Sequence, residues 1–137
     1  MKFMNIFRFL EWQMYKDAKK LNQTVSKICR GFSFEVKKVY QSQFQRAALS
    51  VSLNIAEGAG RYSDTEMCRH FDISLGSLAE VVACADNIKD EGVISKEQFD
   101  DILKQAQNIE RQIQGMKNDI YNNPRTYKRN VKVRTIS

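Results

Sequence analysis

Apolar residues recur at spacings of three and four along four successive stretches of the chain. Side chains at these spacings share one face of an α-helix, so the pattern predicts four amphipathic helices. The first is predicted over about residues 7–30 and the second over about residues 36–59. The apolar stripe of the first helix is expected to comprise Phe7, Leu10, Met14, Ala18, Leu21, Val25, Ile28 and Phe32.

Capping signals mark the ends of the third and fourth predicted helices. Ser63 and Ser95 are each followed three residues later by Glu or Gln, which is the spacing of a capping box in which both side chains satisfy backbone N–H groups. The third helix is expected to close at Gly92, and the fourth is expected to end near Tyr121, just before Pro124. The connectors between the four helices are therefore short.

The order and lengths of these helices predict the fold class. A chain of 137 residues is long enough for one domain with its own core. Four amphipathic helices with short connectors favour an all-α, antiparallel up-down-up-down four-helix bundle, which we predict over residues 1–121. Residues 122–137 are then a basic C-terminal tail, for which we expect a flexible conformation, with an edge strand on a partner as the alternative.

The composition argues against an exported or membrane protein. The chain has no apolar run near the roughly 18 residues that span a bilayer, and its start lacks the continuous apolar block of a signal peptide. Its three cysteines form no Cys-x-x-Cys pair, which is typical of a reducing compartment. We therefore expect a cytoplasmic protein without a membrane partner.

Charge changes sign along the chain. Residues 1–62 carry 11 Lys/Arg and 4 Asp/Glu, residues 63–121 carry 6 and 12, and residues 122–137 carry 5 and 0. This basic–acidic–basic order predicts oppositely charged surfaces. At about 100° per residue, five basic side chains of the first helix share a face opposite its apolar stripe. This lysine stripe comprises Lys16, Lys19, Lys20, Lys27 and Arg30.

The basic groups suggest nucleic-acid binding, although each has a simpler interpretation. The lysine stripe extends over about 20 Å of helix and is suited to following phosphates by counterion release; the alternative is an ordinary solvated face. In the tail, an aromatic side chain that can stack on an unpaired base is surrounded by cations; the alternative is a solubilising tail. The candidate tail residues are Arg125, Tyr127, Lys128 and Arg129.

The sequence offers few residues in an arrangement that could support catalysis. The chain has one histidine, His70, which lies in the middle of a predicted helix, and no nucleophile–base set can be argued around it. His70 and the nearby Cys68 are two side chains, whereas a structural zinc site takes four. We therefore predict no catalytic residue, no metal and no cofactor, with an unrecognised enzyme site as a minor alternative.

Polar and small residues of the second and third helices are expected to organise their packing. Buried polar side chains need partners, so we expect a structural network rather than an active site. Gly58 and Gly60 are expected to stop the second helix, and Gly76 is expected to allow close approach of a backbone. The predicted network comprises Arg46, Asn54, Glu57, Arg61 and Glu80, with either arginine pairing either glutamate.

Three motifs resemble those of a known family. Residues 46–58 read Arg-Ala-Ala-Leu-Ser-Val-Ser-Leu-Asn-Ile-Ala-Glu-Gly, residues 75–80 read Leu-Gly-Ser-Leu-Ala-Glu, and residues 10–13 read Leu-Glu-Trp-Gln. Together they resemble the small four-helix bundle proteins encoded in intervening sequences of bacterial large-subunit ribosomal RNA genes. The resemblance covers residues 9 to about 120 and departs from the family at Gln45, usually part of a basic pair, and Ser52, usually proline.

The resemblance implies an antiparallel four-helix bundle that assembles as a ring-shaped homopentamer without enzymatic activity. It also extends to the accessory variability proteins of diversity-generating retroelements, pentamers that bind a reverse transcriptase and nucleic acid. We therefore expect a non-enzymatic bacterial oligomer that binds nucleic acid, structured RNA rather than DNA. The alternative is an accessory scaffold that binds a reverse transcriptase.

Overall fold

The computed structural model describes residues 5–124 and is all-α over that span. It contains four long helices and no strand among these residues. A 3-10 turn, Arg8–Glu11, precedes the first helix, and a short α-helical turn, Phe34–Val36, leads through a π-helical segment, Lys37–Gln41, into the second. The long helices are α1 (Gln13–Arg30), α2 (Ser42–Ala59), α3 (Asp64–Asp90) and α4 (Lys96–Asn122).

The four helices enclose one core. Helix α1 packs against α2 and α4, and α3 packs against the same two helices. Phe44, Phe71, Leu21 and Ile109 are fully buried, so each helix contributes a large apolar side chain to the centre. No helix within the described span is long and apolar enough to cross a bilayer.

The start of α1 differs from the prediction. The helix begins at Gln13 because Trp12 adopts an extended conformation (φ −76°, ψ 130°). The Trp12 ring packs edge-on against Phe71, with the ring centroids 6.3 Å apart. The chain before it therefore leaves the axis of α1, and the two earliest members of the predicted stripe, Phe7 and Leu10, are 59% and 51% exposed.

Serine side chains cap the N-terminal ends of α3 and α4. In α4 the predicted capping box is confirmed: the Ser95 hydroxyl accepts a hydrogen bond from the Gln98 N–H (3.1 Å), and the Ser95 N–H donates to Gln98 Oε1 (2.8 Å). In α3 the Ser63 hydroxyl also accepts from a backbone N–H, but the Glu66 carboxylate contacts Arg69 at 3.3 Å instead of returning to the cap. The chain closes α3 at Gly92 as predicted, with a φ of 76° that favours glycine.

The second helix ends at Ala59 beside Gly60, as predicted, but the glycines contribute in ways that the sequence did not indicate. Gly60 has a φ of −87°, so the end of α2 requires no left-handed residue there. Gly58 is buried and lies against Phe71 and the backbone of Met67 in α3, so its small size permits close helix packing. The expected approach of a backbone to Gly76 is not found within residues 5–124: at this exposed position, no heavy atom from outside the local helix backbone would lie within 4 Å of a Cβ.

Candidate nucleic-acid interface

The lysine stripe lies on the outer surface of α1. All five of its side chains are exposed, opposite the buried face that includes Ala18 and Leu21. Lys16 lies 4.0 Å from the exposed carboxylate of Glu11, and the Lys19 ammonium lies 5.3 Å from the centre of the Tyr15 ring. Exposed contacts of this kind contribute little free energy, so they leave the charges available to a ligand.

Asp17, the one acidic residue of α1, is directed away from the stripe. Its carboxylate accepts hydrogen bonds from Gln13 (2.9 Å), Asn108 (2.9 Å) and Gln112 (2.7 Å). Burial raises the pKa of Asp17, but the three amide donors and the nearby Lys20 lower the pKa by more, and it lies below its ordinary value of 3.8. Asp17 is therefore ionised at neutral pH and joins α1 to α4.

The polar residues between α2 and α3 form a second feature, the α2–α3 seam. The side-chain amide of Asn54 donates to the Ser50 carbonyl (3.0 Å) and hydroxyl (3.1 Å), and its Oδ1 lies 3.1 Å from Nδ1 of His70. Ser77 donates to the Ser50 hydroxyl (2.8 Å), and the buried Ser74 donates to the backbone carbonyl of Val51 (2.9 Å). The contact with Asn54 assigns a proton to His70 Nδ1, leaving Nε2 as an acceptor.

The charged members of the predicted network separate into two groups. Arg61 pairs with Glu57 at 2.9 Å, and the same carboxylate lies 4.0 Å from His70 Nε2, at the end of the seam. Arg46 contacts Ser42 of its own helix at 3.5 Å, and Glu80 accepts a hydrogen bond from Gln43. Arg46 and Glu80 are exposed, so the structure does not bring them into the buried part of the seam.

Comparison with known protein families gives one match. Residues 11–115 match the family described as 23S rRNA-intervening sequence protein. The chain belongs to this family. No curated protein matches the chain.

The matched region spans α1, α2 and α3 and most of α4. It includes the whole lysine stripe and the whole α2–α3 seam. The predicted tail contacts, Arg125, Tyr127, Lys128 and Arg129, lie outside both the matched region and the described residues.

The two departures from the family motif lie within α2. Ser52 is buried and donates its hydroxyl to the Leu49 carbonyl at 3.1 Å, and α2 is α-helical on both sides of it. A proline would lack the N–H that helix geometry uses at this position, so serine is compatible with an uninterrupted helix. Gln45 is half-buried and accepts a hydrogen bond from Gln41 at 3.5 Å.

The pH dependence of this protein's stability should report on His70. Burial lowers the pKa of His70, as do Arg69 and Arg61, while Glu57 and Glu66 raise it; the net pKa is below the ordinary 6.5. The His70 imidazole therefore binds a proton more tightly in the unfolded chain than in the folded one. The contribution of neutral His70 to the free energy of unfolding is fully present above about pH 6.5, and it is lost as the pH falls toward the lower pKa of the folded state. Urea unfolding between about pH 5 and pH 8 measures the loss.

The variant His70→Gln tests whether His70 causes the loss of stability at acid pH. Because His70 is the only histidine of the chain, His70→Gln should flatten the stability profile across this range while retaining a side chain that can contact Asn54. A variant whose stability falls with acid as steeply as that of the natural chain would contradict the assignment.

The three thiols of the protein are expected to be unreactive. Burial raises the pKa of Cys29 to about 11, and burial also raises the pKa values of Cys68 and Cys84. Because the thiolate is the nucleophile, alkylation by iodoacetamide near neutral pH should be slow, and slowest at Cys29. Peptide mass spectrometry of the folded chain measures the order in which the three thiols are alkylated, and fast labelling of Cys29 would contradict the prediction.

No group of three His, Cys, Asp or Glu side chains within residues 5–124 is placed to hold a metal ion.

Proposed function

We propose that this member of the family is a non-enzymatic RNA-binding protein that contacts the phosphates of structured RNA through its lysine stripe. The observation that carries the proposal is the arrangement of the five exposed cations on one face of α1, with the only acid of that helix hydrogen-bonded toward α4. A helix face that only had to be solvated could carry acidic and basic side chains equally well.

The geometry favours contacts to phosphate over contacts to bases. The stripe lies on a regular helix and extends over about 21 Å between Lys16 and Arg30, and its side chains are point charges or forks suited to phosphate oxygens. Such contacts position a ligand and carry little sequence information. Double-stranded RNA is recognised mainly through shape and backbone, so we propose structured RNA, in preference to DNA, as the ligand.

Binding by the full chain tests this function. Fluorescence anisotropy with a labelled RNA hairpin, and with a DNA duplex of the same sequence, should give tighter binding of the RNA. If all five cations engage phosphates, the slope of log K against log salt should be on the order of −4. Absence of RNA binding at low salt, or affinity independent of salt, would exclude the proposed role.

We also propose the finer architecture that the family resemblance implies: an up-down-up-down bundle that assembles as a ring-shaped homopentamer. The charge pattern supports a ring, since a head-to-tail interface joins two different faces of the same chain and the chain is basic over residues 1–62 and acidic over residues 63–121. Six of the 11 basic residues of the first segment lie outside the lysine stripe, and the interface must use these if the stripe is to stay open to RNA. Native mass spectrometry tests the assembly, and the mass of a single chain would contradict it.

A second candidate function is a scaffold that binds a reverse transcriptase, as in diversity-generating retroelements. The observation in its favour is a pair of apolar side chains before α2, Phe34 and Val39, which are 74% and 70% exposed. Affinity purification from the native host distinguishes the two functions. A polymerase retained after nuclease treatment favours the scaffold, whereas a partner released together with the RNA favours RNA binding.

A further inference from the structure

A pocket borders the lysine stripe at one end of the bundle. It lies between the last turns of α1, the connector from α3 to α4 and the first turns of α4, and its volume is about 540 Å³. This volume is within the range of about 300–1,000 Å³ that is typical of small-molecule sites. Lys27 belongs both to the stripe and to the lining of this cavity, which we call the α1–α4 pocket. A ligand that follows the stripe therefore passes the pocket.

The lining combines apolar walls with two groups of opposite charge. Ile28, Phe32 and Val93 supply apolar surface, and Lys27 and Asp101 supply the charges. These two charges do not pair with each other, and neither makes an ion pair within residues 5–124. A ligand that satisfies both must therefore present an anionic group and hydrogen-bond donors on a body with apolar faces.

The Asp101 carboxylate is exposed and keeps the capacity to accept hydrogen bonds. Its Oδ2 accepts from the side-chain amide of Gln105 at 3.0 Å, whereas an ionised carboxylate has about four lone-pair sites. The same amide donates to the Thr24 hydroxyl of α1 at 3.2 Å, which joins the two helices that form the pocket. Asp101 is thus held beside the pocket with acceptor sites open to a ligand.

A nucleotide meets both requirements in one molecule. Its phosphate can accept from Lys27, and its base has flat apolar faces with N–H donors at the edge. Guanine suits an acidic acceptor best, because its Watson–Crick edge presents two adjacent donors, the ring N–H and the amino group, whereas uracil presents one N–H between two carbonyl oxygens that a carboxylate repels. Bases in RNA loops and bulges can be splayed out and recognised at this edge.

We propose that the α1–α4 pocket binds an unpaired guanosine of the RNA whose backbone lies along the lysine stripe. Lys27 contacts the phosphate of this nucleotide, the base lies against the apolar walls, and Asp101 accepts hydrogen bonds from its edge. This inference rests on RNA binding by the stripe, and it adds one base-specific contact to an interface that otherwise recognises phosphates.

Three RNA duplexes that differ at one position test the pocket. One is fully paired, and the other two carry a single unpaired guanosine or a single unpaired uridine at the same place. Fluorescence anisotropy with the full chain should show the tightest binding for the guanosine bulge, about tenfold tighter than for the uridine bulge. The two bulged duplexes have the same number of phosphates, so this ratio should change little with salt concentration.

Asp101→Asn removes the acidic acceptor and leaves an oxygen that can still accept from Gln105. The preference for the guanosine bulge should then largely disappear. Asp100→Asn is the matched control, because it makes the same change of charge at the neighbouring exposed residue, which lies outside the lining of the pocket. The control should keep the full preference, and both variants should bind the fully paired duplex equally. Far-UV circular dichroism verifies that both are folded.

Each outcome supports or overturns the proposal. Equal binding of the three duplexes by the natural chain overturns the pocket and leaves the lysine stripe intact, whereas absence of binding to all three overturns the proposed function and the pocket together. A guanosine preference that persists in Asp101→Asn assigns the base contact to another surface and overturns the pocket. Guanosine 5′-monophosphate is the competitor in a further titration. If it binds more tightly than the bulged duplex, the ligand is a free nucleotide and the proposal is overturned.

Discussion

Replacing Gly58 with alanine is expected to destabilise the folded chain by about 1–3 kcal/mol, the usual cost of over-packing a core. The added Cβ would lie 2.8 Å from Cε1 of Phe71 and 3.1 Å from the carbonyl oxygen of Met67. Phe71 is fully buried, and the Met67 oxygen belongs to the backbone of α3. Neither neighbour can move away freely, so α2 must shift away from α3.

Gly76→Ala provides the matched control for this prediction. Its Cβ would contact nothing within 4 Å, and alanine is favoured over glycine in a helix by up to about 1 kcal/mol, so this variant should be slightly more stable. Both substitutions gain helix propensity, and the difference between their free energies of unfolding therefore measures the packing cost. Urea unfolding at one protein concentration gives both values, and similar shifts for the two variants would show that α2 and α3 do not approach closely at Gly58.

Gly58 also illustrates the limit of sequence analysis for this fold. Two glycines at the end of an apolar helix indicate a stop, and α2 does end at Ala59. The reason for Gly58, however, is a contact with a ring 13 residues further along the chain. Helical periodicity shows which face of a helix is buried, but it does not show where along a neighbouring helix that face makes contact.

The helices themselves were predictable where local signals agreed. In α4 the apolar spacing and the Ser95 capping box predict the same element, and both are confirmed. In α1 the spacing extends without interruption back to Phe7, yet the helix starts at Gln13. The extended backbone of Trp12 is stabilised by its contact with Phe71 of α3, a tertiary effect that has no local signature.

The same distinction separates the lysine stripe from the α2–α3 seam. The stripe follows from helix geometry alone, because its members lie on one helix, and the structure places all of them at the surface. The seam depends on the pairing of Asn54 with His70, 16 residues apart on two helices. The sequence predicted Asn54 as a member of a polar network and contained a lone histidine in an amphipathic helix, but it did not specify that these two side chains pair.

Reversing the charge of three stripe lysines should have the largest effect on RNA binding. In Lys16→Glu/Lys20→Glu/Lys27→Glu, each substitution removes a cation that we propose neutralises a phosphate, and it adds a repulsive carboxylate. We expect the affinity for an RNA hairpin at low salt to fall by about 100-fold or more, and the salt slope to become shallower by about 3, one for each phosphate that is no longer neutralised. All three side chains are exposed, so the fold should be retained, which circular dichroism verifies.

A second triple variant separates the stripe from net charge. Lys37→Glu/Lys38→Glu/Arg111→Glu changes three exposed cations outside the stripe, and like the first variant it lowers the net charge from +6 to 0. The two triple variants therefore lose the same amount of long-range attraction to RNA, but only the second keeps all five cations of the lysine stripe. The control should therefore retain most of the affinity and nearly the full salt slope. Equal reductions in affinity for the two triple variants would mean that binding follows total charge, and the lysine stripe would then not be the RNA-binding surface.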